Sequence, residues 1–140
     1  MNRGQCLCGA VTVHAALTGE LMACHCQQCQ RWTGGGPLYA AETTELKVEG
    51  REHIETYRHT AHGERAFCRH CGSTLWWSFK GAPPSMVAPG LLDDQSGLRL
   101  TGEIFTDRRA PWQDPVPGTT QSTESEELAK LDAYLAKEKS

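Results

Sequence analysis

Seven cysteines in three tight groups are the residues of this chain best suited to chemistry. Cys6 and Cys8 form a Cys-x-Cys pair. Cys24, Cys26 and Cys29 share one short stretch, and Cys68 and Cys71 form a Cys-x-x-Cys pair. Two thiolates one to two residues apart can both turn toward a single ion where a tight turn bends the backbone around it. Four thiolates close a tetrahedral zinc site, whereas three protein ligands leave one position open for a reacting molecule. The count of seven therefore predicts one structural and one working metal. A disulfide framework fits poorly, because the count is odd and Met1–Gln5 lacks the apolar stretch of a signal peptide.

Two partitions of the cysteines are open. One joins Cys26 and Cys29 to Cys68 and Cys71, as in a zinc ribbon, and strands Cys6, Cys8 and Cys24. The other joins Cys6 and Cys8 to Cys68 and Cys71 and leaves Cys24, Cys26 and Cys29 as a local trio. Ribbon pairs usually stand about 15–20 residues apart, and the gap here is about twice that. Three ligands in one loop can also fill three corners from one side and leave the fourth facing outward. Geometry favours the second partition.

The elements that must hold these groups read as mostly β. Gly9–Val13, Leu38–Ala41, Leu46–Val48, Ile54–Tyr57, Ser73–Phe79, Met86–Ala88, Leu98–Leu100 and Ile104–Thr106 are short strand candidates. Gly19-Glu20 reads as a turn and Gly34–Pro37 as a flexible loop. The cysteine groups become knuckles at strand ends. One clear helix is expected over Glu124–Lys137, where Thr123 and Glu126 form a capping box and Leu128, Leu131 and Leu135 recur at helical spacing. Its acidic first turn, and Lys137 and Lys139 at its end, suit the helix dipole. The Pro/Thr/Ser-rich stretch before it, residues 111–121, reads as an ordered crossing or a linker. The expected organisation is a zinc-binding β domain over residues 1–118 and a helix and tail over residues 119–140. The amphipathic helix packs on the domain or makes a dimer contact.

The bulk numbers bound the function. The chain has 140 residues, the size of one ordinary domain, and 39% are hydrophobic, slightly low for a self-sufficient core. Metal binding coupled to folding can compensate. The formal charge is −3, and two loaded thiolate sites would take it to roughly −6. No basic block or stripe is present, which argues against a nucleic-acid partner. The absence of a long apolar run argues against a membrane span, and a reducing, cytoplasmic setting would keep the thiols available to metal.

These residues also carry a family resemblance. Gly4-x-Cys6-x-Cys8-Gly9-Ala10-Val11, Cys24-His25-Cys26-x-x-Cys29, Phe67-Cys68-x-x-Cys71-Gly72-Ser73-x-Leu75 and Ala110-Pro111-Trp112 together resemble the glutathione-dependent formaldehyde-activating enzyme family, which includes centromere protein V-like proteins. The match runs in order over about residues 4 to 118. It implies a mainly β, tent-like zinc fold of small antiparallel sheets, shared with a zinc-bearing chaperone of Rab GTPases. It implies a structural zinc on Cys6, Cys8, Cys68 and Cys71 and a catalytic zinc on Cys24, Cys26 and Cys29. Two positions depart from the pattern. Gln30 follows Cys29 where many relatives have Arg, and Glu103 stands in the late β segment where many have His.

The activity implied is condensation of glutathione with formaldehyde to S-hydroxymethylglutathione, a carbon–sulfur lyase reaction. An open zinc position can lower the pKa of a thiol so that thiolate exists near neutral pH. Thiol delivery is preferred over carbonyl activation, because three thiolate ligands weaken the Lewis acidity of the metal. His25 is expected to hydrogen-bond a trio thiolate. Trp32 and Gly34–Gly36 are candidates for the substrate mouth, and Arg31, Arg51 and Arg58 for carboxylate contacts. His53, His59 and His62 form a loose group of loop histidines. The alternative function is a non-catalytic zinc module that binds a protein partner.

Overall fold

The computed structural model describes residues 1–138, so the expectation for Lys139 lies outside the described residues. Two compact units emerge. The first comprises Met1–Leu21 and Ala40–Arg99, and the second comprises Met22–Tyr39 and the chain from Leu100 onward. The fold is mostly strand, with a small helix and one C-terminal helix. No described helix is long and apolar enough to cross a membrane.

In the first unit, β1 (Asn2–Gln5) pairs antiparallel with β2 (Thr12–Cys24, with Met22 onward in the second unit), with Gln5 opposite Thr12. The intervening turn carries Cys6 and Cys8. β3 (Leu38–Glu49, with Ala40 onward in this unit) pairs antiparallel with β7 (Met86–Val87), placing Ala41 opposite Val87. A separate three-stranded sheet runs β4 (Ile54–Tyr57), β5 (Gly63–Cys68), β6 (Thr74–Phe79). Its β5–β6 turn carries Cys71. β6 forms because its β-branched and aromatic residues suit a pleated, half-buried surface. Leu75 and Trp76 are buried, while Trp77 and Phe79 share the other face with rings 4.8 Å apart edge to face.

The core of this unit gathers Cys6, Val11, Val13, Ala15, Ala41, Ala66, Cys68, Leu75, Trp76, Val87, Leu91 and Leu92. Two metal-ligand candidates thus sit within the apolar core itself. Burial of a side chain such as Leu75 contributes roughly 1.5–3 kcal/mol.

The sequence pattern broke two strands too early. Gly19 lies inside β2 with φ 96°, so its freedom to adopt a left-handed backbone lets the strand continue where a turn was expected. The candidates on either side of Glu42–Glu45 form the single strand β3. β5 was not anticipated, although its burial pattern is that of an interior strand.

In the second unit, β8 (Arg99–Ile104, with Leu100 onward in this unit) runs parallel to β9 (Thr120–Ser122), placing Glu103 opposite Gln121. β9 arises within the Pro/Thr/Ser-rich stretch. A short helix, α1 (Gln27–Thr33), occupies the segment read as a bare knuckle. It ends at Gly34, whose φ of 90° allows the N–H to close on the Gln30 carbonyl. The C-terminal helix α2 (Glu124–Glu138) begins as expected. Thr123 Oγ1 accepts the Glu126 N–H at 3.2 Å, and Glu126 Oε1 accepts the Thr123 N–H at 3.1 Å.

Candidate metal centres

Two hairpin turns build the first centre. After β1, the Cys6 N–H reaches the Val11 carbonyl and the Gly9 N–H reaches the Cys6 carbonyl, each at 3.0 Å. After β5, the Cys68 N–H donates to the Ser73 carbonyl and the Gly72 N–H to the Cys68 carbonyl. The ligand atoms of Cys6, Cys8, Cys68 and Cys71 all lie within 4.8 Å of one another. Cys6 and Cys8 sulfurs are 3.7 Å apart, and Cys8 and Cys68 sulfurs 3.8 Å. Sulfurs at the corners of a tetrahedron with zinc–sulfur bonds of about 2.3 Å would stand about 3.8 Å apart. The four thiols therefore fit a tetrahedral thiophilic cation, and they are free cysteines.

Backbone and hydroxyl groups support the sulfurs. The Val11 N–H donates to Cys6 Sγ at 3.3 Å, and Cys71 Sγ lies 3.2 Å from Ser73 Oγ. That Ser73 hydroxyl helps pull the Cys71 thiol down to about 5. The Ala10 N–H acts the same way on Cys8, but burial and the neighbouring sulfurs of Cys71, Cys6 and Cys68 win and push it up to about 11. Crowded thiols cannot all ionise together unless a cation joins them.

The second centre lies in the second unit. Cys24 is the last residue of β2, Cys26 caps the N-terminus of α1, and Cys29 is buried one turn into that helix. Their sulfurs also lie within 4.8 Å of one another. The Cys29 N–H donates to Cys26 Sγ at 3.3 Å, so the thiol serves as the helix cap. Close sulfurs of Cys26 and Cys29 push the Cys24 thiol far up. The donor set is three thiols, which fits a thiophilic cation with one position left over. Of the two partitions, the geometry gathers the four-plus-three set and not the ribbon-like one.

His25, between two trio cysteines, is fully buried, and its partner is not a thiolate. Its Nε2 stands 2.7 Å from Glu103 Oε1, and Glu103 is 1% exposed. The other oxygen of Glu103 accepts from the Val116 N–H at 3.0 Å, Thr119 Oγ1 at 3.2 Å and Gln121 Nε2 at 2.8 Å. Arg109 approaches the same oxygen at 3.4 Å. Burial alone would raise the Glu103 carboxyl, but the Gln121 amide, the Val116 N–H, His25 and Thr119 together hold it down at about 2. The His25 N–H donates to the Ile104 carbonyl at 3.0 Å, and Gln30 Nε2 donates to the His25 carbonyl at 2.6 Å and to the Arg108 carbonyl at 2.8 Å. His25 Nδ1 has no partner among the described residues. Phe105, at φ 56°, turns the chain from β8 toward Arg108 and Arg109.

The remaining candidates divide. Arg58 is held by Glu64. His53 Nδ1 lies 2.9 Å from His70 Nε2, and His59 lies 3.5 Å from the Tyr57 hydroxyl. Beside the trio, Gln27, Gln30, Arg31, Gly34–Gly36 and Trp112 line an open groove of about 570 Å³. The glycine loop lines this groove together with Trp112, whereas Trp32 is not among its lining residues. The Glu103 network also escaped the sequence reading. It joins residues 78 positions apart, and no local pattern signals such a pair.

Comparison with known proteins agrees with this architecture. A Rhodobacter sphaeroides protein of known crystal structure shares the fold, with a TM-score of 0.54 at 22% identity over 86% of this chain and 99% of that one. An uncharacterized lyase of Schizosaccharomyces pombe is 25% identical over 130 residues, covering 91% of this chain and 95% of its own length. A Halomonas elongata protein, provisionally named a glutathione-dependent formaldehyde-activating enzyme, is 33% identical over 96 residues. That alignment covers 61% of this chain and 60% of the relative. The family pattern of the glutathione-dependent formaldehyde-activating enzymes matches residues 1–108, and the chain belongs to that family.

Proposed function

We propose that the protein is a zinc-dependent carbon–sulfur lyase-type enzyme that joins a thiol to an aldehyde, with glutathione and formaldehyde as the pair. The observation that carries this reading is the trio: three thiols within 4.8 Å in a chain of this family, a donor set that leaves a coordination position unused. In this reading Cys6, Cys8, Cys68 and Cys71 hold a structural zinc, and Cys24, Cys26 and Cys29 hold a catalytic one. The catalytic zinc, when bound, supplies an electropositive position that favours the thiolate form of an incoming thiol.

The chain's own residues do the rest. Cys26 and Cys29 are fixed by the cap geometry of α1, so their sulfurs are set before substrate arrives. His25 is clamped by Glu103 and by its backbone bonds, which hold Cys24 and Cys26 on either side of it in register. In the reaction the thiol sulfur forms a bond to the aldehyde carbon. The carbonyl π pair moves to oxygen, which takes up the proton that the thiol gives up. We also read the protein as cytoplasmic, where glutathione is abundant and thiols stay reduced.

The test is direct. Metal-loaded protein mixed with glutathione and formaldehyde should form S-hydroxymethylglutathione faster than the uncatalysed mixture, followed by NMR. Cys26→Ser should abolish the acceleration. Full turnover in Cys26→Ser would overturn the assignment. Absence of any acceleration in the wild type would favour a protein-binding zinc module instead.

A further inference from the structure

We propose that His53 and His70 form a surface site for a divalent transition-metal ion of the nickel and copper class, distinct from both cysteine groups. The site lies wholly in the first unit and needs neither the trio nor a thiol substrate.

Backbone brings the two imidazoles together. His53 closes the 3-10 turn Arg51–His53, where its N–H reaches the Gly50 carbonyl at 2.9 Å. Gly50 pins the start of that turn. Its φ is 84°, and a Cβ there would stand 2.1 Å from the Ala10 carbonyl oxygen. His70 sits in the turn between Cys68 and Cys71, closed by the Gly72 N–H on the Cys68 carbonyl at 2.8 Å. The Arg69 N–H then donates to the His53 carbonyl at 2.8 Å and ties one turn to the other.

The spacing of the pair is that of two metal ligands. His53 Nδ1 lies 2.9 Å from His70 Nε2. The ring centroids are 4.8 Å apart and the planes tilt by 55°, so the rings meet at their nitrogen edges and are not stacked. Metal–imidazole bonds run about 2.0–2.1 Å. Two nitrogens in cis positions, about 90° apart at the metal, would then stand about 2.8–3.0 Å from each other, and two corners of a tetrahedron about 3.3–3.4 Å. The observed spacing matches cis positions, which octahedral or square-planar nickel and copper offer and tetrahedral zinc does not.

Charge and tautomer agree with this. Glu52 Oε1 stands 3.3 Å from Nε2 of His53, the ring's other nitrogen. A carboxylate there favours the tautomer that carries its proton on Nε2 and leaves the Nδ1 lone pair for a metal. The same carboxylate offsets the charge of an incoming cation. Arg69, the cation next to His70 in the chain, is paired with Glu55 at 3.7 Å. His70 and Glu52 are exposed and His53 is half-buried, so a metal and the waters that complete its shell can enter. Two imidazoles offer fewer donors than three or four thiolates. The site therefore fills after the cysteine groups are loaded.

Nickel titration of the full chain, with its cysteine groups already loaded with zinc, tests the site by calorimetry. The wild type should take up one Ni2+ per chain while elemental analysis finds the zinc content unchanged. Paramagnetic broadening in the amide NMR spectrum should centre on His53, His70 and their chain neighbours. His53→Ala and His70→Ala should each weaken uptake roughly tenfold or more, the loss that disturbing even a ligand's supporting partner brings. His59→Ala, at an exposed histidine outside the pair, should leave uptake unchanged. The two pair substitutions lie in different turns, so a folding fault in one leaves the other to decide. No nickel uptake, uptake matched by zinc release, or undiminished uptake in a folded pair variant overturns the proposal and leaves the two rings as a hydrogen-bonded contact.

Discussion

His25 and Glu103 form a buried pair, with the imidazole Nε2 2.7 Å from a carboxylate oxygen and both side chains 1% exposed. The pair has a direction. Glu103 is held by three hydrogen-bond donors besides His25 and approached by Arg109, so the carboxylate is the fixed end and the imidazole the end it fixes. His25 stands between two cysteines of the trio, so this pair ties β8 to the spacing of the sulfurs.

Glu103→Ala should be strongly destabilising. It leaves the His25 ring buried without its carboxylate partner and strips the Val116 N–H and the Gln121 amide of a shared acceptor. Removal of one member of such a pair costs about 3–5 kcal/mol. Glu103→Gln keeps the shape and one acceptor oxygen, and should recover a large part of the loss. Urea unfolding measures the stability. Dissociation of a cobalt probe from the trio should be faster in Glu103→Ala than in Glu103→Gln. Equal dissociation in both would show that the pair does not act on the trio.

The same carboxylate sets an acid limit. Its pKa is held at about 2 against an ordinary value of 4.5. The folded state thus favours the charged form, and the stabilisation is fully present above the unfolded value. It fades as pH falls from about 4.5 toward about 2, because the unfolded chain takes up the proton first. Glu103→Gln has no such titration. The stability difference between wild type and Glu103→Gln should therefore narrow across that window, as denaturant midpoints at each pH would show. A constant difference would mean that Glu103 is not depressed in the folded state.

The start of α2 offers a local test. Thr123 and Glu126 close a reciprocal cap, and Asp107 accepts the Glu124 N–H at 2.9 Å. Thr123→Ala should cost about 1 kcal/mol. Hydrogen exchange should quicken in the first turn of α2, with metal content unchanged. Faster exchange throughout the unit would show that the cap supports more than its own helix.

What the sequence made legible was local. Cys-x-Cys, Cys-x-x-Cys and the Thr123/Glu126 box each fix a turn or cap within a few residues, and each appears in the structure as a knuckle or a helix start. What stayed hidden was either a backbone choice or a distant meeting. Gly19 punctuates sequences as a turn, yet here it continues a strand at φ 96°, because pairing partners on β2 outweigh local preference. α1 was masked because a thiol, Cys26, takes the capping role usually filled by Ser, Thr, Asp or Asn. Glu103 stood out as a departure from the family pattern, but its role depends on His25, Thr119 and Gln121, which only the fold brings together.

The two cysteine groups should fail in different ways when altered. Cys6 and Cys68 are at most 1% exposed and belong to the apolar core of the first unit, so a metal there is bound up with folding itself. Cys68→Ser puts a hydroxyl into that core and removes a ligand, and should lower the melting temperature sharply. Cys26 is only half-buried and sits at the start of a short helix. Serine is a good helix cap, so Cys26→Ser should keep most of the fold while losing the trio's metal. Elemental analysis should find two metal ions per chain in the wild type and one in Cys26→Ser, with thermal unfolding nearly unchanged in the latter. If Cys26→Ser unfolded as readily as Cys68→Ser, the trio's metal would be as structural as the first, and an open working position would lose its support.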